Sequence, residues 1–88
     1  MDGLRTEIRE FIVSNFYIPD AKALRDDVSL IDLGVVDSTG VLEVIGYLES
    51  HFGIVVAEDE TVPENLDSIQ RLVAFVARKR GESVAAAG

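Results

Sequence analysis

Gly34-Val35-Val36-Asp37-Ser38-Thr39-Gly40 is where a long irregular connection gives way to a strongly apolar-periodic segment. Beyond it Val41, Leu42, Val44, Ile45, Leu48 and Phe52 recur as one broad helical stripe, which predicts a helix from Ser38 to His51 or Phe52. A stripe that wide faces two neighbours, so the reading of this segment points to an all-helical assembly. The opposite face carries Thr39, Glu43, Gly46, Tyr47 and Ser50. Gly46 costs about 1 kcal/mol against alanine in a helix interior. It marks either a close approach by another segment or partner, or a tolerated glycine on an exposed turn. At the other end of the helix, a serine in the first turn has its hydroxyl in solvent. It lies beside backbone N–H groups without intrahelical acceptors, and the helix dipole there favours an anionic group such as a phosphate. Two readings of Asp37-Ser38 follow. Either residue can be an N-cap, since both are preferred types; or Ser38 carries a covalently attached prosthetic group that the rest of the chain presents.

Working outward, Leu4, Ile8, Phe11 and Ile12 lie on one face of a first helix predicted over Asp2–Phe16, with Asp2 as a cap and Ile18-Pro19-Asp20 ending it. From Ile18 to Val36 no long periodic stretch occurs, yet Leu24, Val28, Leu30, Ile31, Leu33, Val35 and Val36 keep the connection apolar. This predicts a loop packed across the core, with one short turn at Leu30–Leu33 that Gly34 stops. After Gly53 comes Ile54-Val55-Val56, β-branched and extended in preference. Glu58 to Leu66 has room for one or two helical turns, with Pro63 in a first-turn position. A last helix begins near Asp67-Ser68-Ile69-Gln70, with Asp67 and Gln70 at capping-box spacing. Ile69, Leu72, Val73 and Val76 form its buried stripe, and Arg78-Lys79-Arg80 suit the dipole at its end. The expectation is a small four-helix bundle, three main amphipathic helices plus one short helix, with a long first inter-helix loop. Residues 1–80 form one domain in this reading and 81–88 a disordered tail, with no internal repeat.

With 88 residues and no cysteine, the core must hold this fold without disulfides or a Cys-based metal site. No apolar run approaches the about 18 residues of a membrane span, and the start of the chain lacks the layout of a secretory signal, so a cytoplasmic monomer is expected. The net charge is −8, and its placement is informative. Residues 26–70 carry Asp26, Asp27, Asp32, Asp37, Glu43, Glu49, Glu58, Asp59, Glu60, Glu64 and Asp67 with neither Lys nor Arg. Such a block argues against nucleic-acid or anionic-membrane binding and favours partners with basic docking surfaces; a surface tuned for solubility is the plainer alternative.

Catalysis by the chain's own side chains finds little support. His51 is the sole histidine. On a shared helix, the 13-residue offset from Ser38 to His51 at 1.5 Å rise separates them by about 20 Å, too far for a nucleophile and its base. Glu58-Asp59-Glu60 attracts divalent cations loosely at most, lacking the spacing of a calcium loop.

Leu33-Gly34-Val35-Val36-Asp37-Ser38, then Leu42-Glu43, then Leu48-Glu49-Ser50-His51-Phe52-Gly53-Ile54, and later Asn65-Leu66-Asp67-Ser68-Ile69, resemble the acyl carrier protein family over Ile8 to Arg80. The resemblance implies a small acidic four-helix carrier and no enzyme. Ser38 would receive 4′-phosphopantetheine from coenzyme A through a phosphopantetheinyl transferase, with Asp37 in the motif that enzyme reads. The arm's thiol would carry acyl or aminoacyl groups as thioesters, while the protein supplies position and recognition. The family's acidic docking face maps to Thr39, Glu43, Tyr47 and Glu49.

Thr39 and Gly40 depart from the fatty-acid branch, which has leucine and an acidic residue there, and Ser50 replaces an expected charge. A glycine two places after the serine resembles discrete D-alanyl or aminoacyl carriers. This implies a free-standing carrier of a specialised biosynthetic pathway, loaded by a separate adenylating ligase and serving downstream transferases. The alternative is a non-catalytic helical interaction module in which Asp37 and Ser38 only cap a helix.

Overall fold

The first amphipathic stripe becomes α1, Asp2–Asn15, in a computed structural model that describes residues 2–18, 22 and 24–87. The side chains of Asp2 and of residues 82–87 lie outside that description, as do residues 1, 19–21, 23 and 88, including the predicted terminator Pro19. Asp2, read as a cap, is itself the first helical residue. Ile8 and Ile12 of α1 are sealed in the core, and the Phe16 N–H closes the last turn on the Ile12 carbonyl at 3.0 Å.

The partner of that stripe is α4, Ile69–Ala87, whose Ile69, Leu72 and Val76 have no accessible surface. α1, α2 (Ser38–Phe52) and the one-turn α3 (Pro63–Leu66) all pack on α4. Among the described residues every regular element is helical, which is the expected all-α bundle of three main helices and one short one. Helicity extends past Gly81 to Ala87, where a frayed tail was expected. Arg78, Lys79 and Arg80 therefore sit inside α4 and not at its end. Arg78 covers the Phe75 ring at 5.3 Å, Arg80 approaches the Phe52 ring at 5.9 Å, and Lys79 pairs with Glu60.

The long connection crosses the core as its apolar residues suggest: Leu24, Leu30, Val35 and Val36 are buried. One turn closes through Val28 N–H to the Arg25 carbonyl at 3.4 Å, and the expected turn forms through Leu33 N–H to the Ser29 carbonyl at 3.1 Å and Gly34 N–H to the Ile31 carbonyl at 3.0 Å. Gly34 stops it at φ +74°, a left-handed conformation that glycine adopts without strain.

Asp67 was expected to cap α4, and it does not. Ser68 is the cap: it is 3% exposed, and its hydroxyl accepts the Arg71 N–H at 3.0 Å. Asp67 instead holds the connection. Its carboxylate accepts the Ile31 N–H at 2.9 Å and the Ser29 hydroxyl at 2.6 Å, and its carbonyl accepts the Leu30 N–H at 2.9 Å. One aspartate thus supplies acceptors for two loop amides and a loop hydroxyl.

After α2, Gly53 caps at φ +69° and Ile54-Val55-Val56 follow without forming a strand. The Glu49 carboxylate accepts the Val56 N–H at 3.0 Å and fixes this segment to α2. A single 3₁₀ turn, Glu58–Glu60, precedes α3, which begins with Pro63 as expected.

Candidate functional site at the start of α2

Asp37 and Ser38 divide the two roles that the sequence left open between them. Asp37 is the N-cap: its backbone is extended, its Oδ1 accepts the Gly40 N–H at 2.7 Å, and its carbonyl accepts the Val41 N–H at 2.9 Å. Ser38 is the first helical residue and is exposed. Its N–H and that of Thr39 are the first-turn donors with no acceptor within the helix.

A cavity of about 310 Å³ borders Ser38, lined by Ile31, Gly34, Val36, Asp37 and Val41. A second, about 200 Å³ and apolar, shares Ile31, Val36 and Val41 with it and reaches toward Leu66. Ile31 (47% exposed), Leu33 and Leu42 (68%) lie on the surface of the same turn and helix. A third cavity, about 710 Å³, lies at Arg5, Arg9, Lys22, Leu24, Arg25 and Val73, and does not touch Ser38. An exposed hydroxyl, an open space beside it and a first turn whose dipole favours a phosphate together fit a phosphate-linked group on Ser38.

Of the expected docking residues, Thr39 and Glu43 are exposed on α2. Tyr47 and Glu49 are half-buried and engaged within the fold. Tyr47, placed on the polar face by periodicity, stacks on Phe11 of α1 with centroids 3.8 Å apart and planes at 11°, and its hydroxyl points to the Glu7 carbonyl at 3.4 Å. Burial, then the nearby Glu7 and Glu10 carboxylates, push the phenol above its usual value of 10.0, so it stays neutral. Leu42, counted in the buried stripe, faces solvent, while Gly40 is buried in its place. Gly46 has nothing within 4 Å of an added Cβ and is the tolerated exposed glycine of the two readings. The close approach occurs at Gly40, against Phe16. Phe16 was read only as the end of the first helix, and its one signal was an aromatic residue at the junction of a helix and an apolar loop.

His51 lies at the far end of α2, stacked on Tyr47 at 5.0 Å with its Nε2 3.6 Å from a Glu7 carboxylate oxygen. Among the described residues no group of three or more His, Cys, Asp or Glu side chains is placed to hold a metal ion. Among them, too, no helix is long and apolar enough to cross a membrane.

The family model described as "Phosphopantetheine attachment site" matches residues 6–76, a span that contains α2 and its cap. The chain is 34% identical over 53 residues to the D-alanyl carrier protein of Abiotrophia defectiva, covering 60% of this chain and 67% of that one. It is 32% identical over 65 residues to the D-alanyl carrier protein of Streptococcus suis, covering 74% and 81%. To the acyl carrier protein of Solidesulfovibrio magneticus it is 26% identical over 76 residues, covering 86% and 94%. With its all-helical fold and a match over most of its length, the chain belongs to the phosphopantetheine attachment family of carrier proteins, whose cofactor is covalently attached 4′-phosphopantetheine.

Proposed function

We propose that Ser38 bears the phosphopantetheine arm, transferred from coenzyme A by a phosphopantetheinyl transferase, and that the protein delivers acyl or aminoacyl groups to partner enzymes. The observation that carries this reading is the division of labour at the start of α2. Asp37 makes the cap, so the exposed Ser38 hydroxyl has no structural duty and is open to modification. Once attached, the arm supplies a terminal thiol that holds the cargo as a thioester. The chain's own residues present the attachment point and are read by partners. Carrier proteins are in general not catalysts, and we assign no reaction to side chains of this one.

Aminoacyl cargo is the favoured class, supported by Gly40 and by two relatives named D-alanyl carrier proteins. A separate adenylating ligase would load it in the cytoplasm, for a specialised pathway. Thr39 and Glu43, exposed beside Ser38 on α2, are the docking residues toward basic partner surfaces. Such docking chiefly accelerates encounter and weakens with salt.

The test is an intact mass after incubation with coenzyme A and a promiscuous phosphopantetheinyl transferase. The wild type gains one arm and Ser38→Ala gains none. A wild type that stays unmodified, or a Ser38→Ala that is modified equally, overturns the assignment and returns the site to a plain helix start.

A further inference from the structure

Gly40 is buried two residues after Ser38, and its requirement for glycine comes from space. A Cβ there would lie 2.8 Å from Phe16 Cε1, 3.3 Å from Asp37 Oδ1 and 3.4 Å from Val36 Cγ1. The first of these is below any normal contact. The half-buried Phe16 ring can yield only by giving up its edge contact with Phe11, made with centroids 6.0 Å apart and planes at 80°. Phe11 in turn stacks on Tyr47. The aromatic pair at the end of α1 thus grips α2 at two heights, at Gly40 in the first turn and at Tyr47 two turns later. Two such contacts set the rotation of α2 about its own axis, and so the direction in which Ser38 faces.

We infer that Phe16 and Gly40 form a positioning device that orients Ser38 for modification, an inference that rests on Ser38 being the attachment residue. A side chain at position 40 pushes on the ring and crowds the same Asp37 oxygen that accepts the Gly40 N–H. The first turn must then shift or lose its cap, and Ser38 moves with it. The acidic residue that the fatty-acid branch carries at this place has no room while Phe16 keeps its seat.

Loading rates with coenzyme A and the transferase, measured on Gly40→Ala, Phe16→Ala and the double variant, test this. Circular dichroism fixes a temperature at which each variant is folded. Each single variant is expected to lose about tenfold in kcat/KM, chiefly in kcat, because reacting atoms tolerate little misplacement. The double variant regains rate over both, since the added methyl enters the space the ring has left. Gly46→Ala, a glycine on the same helix with open surroundings, loads as wild type. A double variant no faster than the better single overturns the inference, as does a folded Gly40→Ala that loads at the wild-type rate. If Gly40→Ala does not fold, the comparison of the double variant with Phe16→Ala decides in the same way. An unmodified wild type would instead strike down the assignment of Ser38 itself.

Discussion

Asp37 turns its carboxylate to the Gly40 N–H while Ser38, one residue on, is exposed, and this separation can be measured. Asp37→Ala removes the cap and should lower stability by about 1 kcal/mol in urea unfolding, with Asn retaining most of it. An Asp37→Ala that unfolds at the wild-type midpoint would show that another group caps α2. Both residues were legible because capping is local: a polar side chain, a helix start and a spacing suffice. Tyr47 and Glu49 were not legible as internal residues. Their partners are Phe11 on another helix and the Val56 amide beyond the helix end, and periodicity along α2 sees neither. Gly46 drew notice as a glycine within a helix, but the contact that needs glycine is at Gly40, where the neighbour comes from another part of the chain.

At the scale of the element, boundaries followed the sequence where local chemistry sets them and departed where tertiary contacts do. α2 starts and stops as read, between an Asp cap and a left-handed Gly53. α4 is capped by Ser68 and not by Asp67, whose acceptors are taken by three donors of the connection, a competition that capping-box spacing cannot reveal. The 3₁₀ turn at Glu58–Glu60 has its own fastener. Glu60 accepts the Ala57 N–H at 2.9 Å and the Lys79 ammonium at 2.9 and 3.2 Å. The backbone bond first, and then the lysine, hold its carboxyl below the ordinary glutamate value of 4.5. A carboxyl lowered in the folded state contributes stability above its unfolded value and loses it as pH falls through the folded one. Melting temperatures of wild type and Glu60→Gln should therefore differ at pH 7 and converge as the pH drops below about 4.5. A constant gap down to pH 3 would mean that the carboxylate charge is not what fastens the turn.

For the whole molecule, the four amphipathic segments could be read, but not which of them is the hub. α4 takes that place because α1, α2 and α3 each pack on it, and Leu72 in its first turn has no accessible surface. Leu72→Ala should cost about 2–5 kcal/mol by urea unfolding, a large share of the about 5–15 kcal/mol typical of a domain. A loss below 1 kcal/mol would place the hub elsewhere. The acidic block, by contrast, was fully legible, since charge needs no fold to be counted. The position of α4 also bears on how the protein is made. It is the last of the four helices to be synthesised, at about 5–20 residues per second. Until it leaves the ribosome, the face that each of the other three turns toward it stays uncovered. The nascent chain thus exits with those apolar faces open, and the four-helix core closes only when α4 emerges.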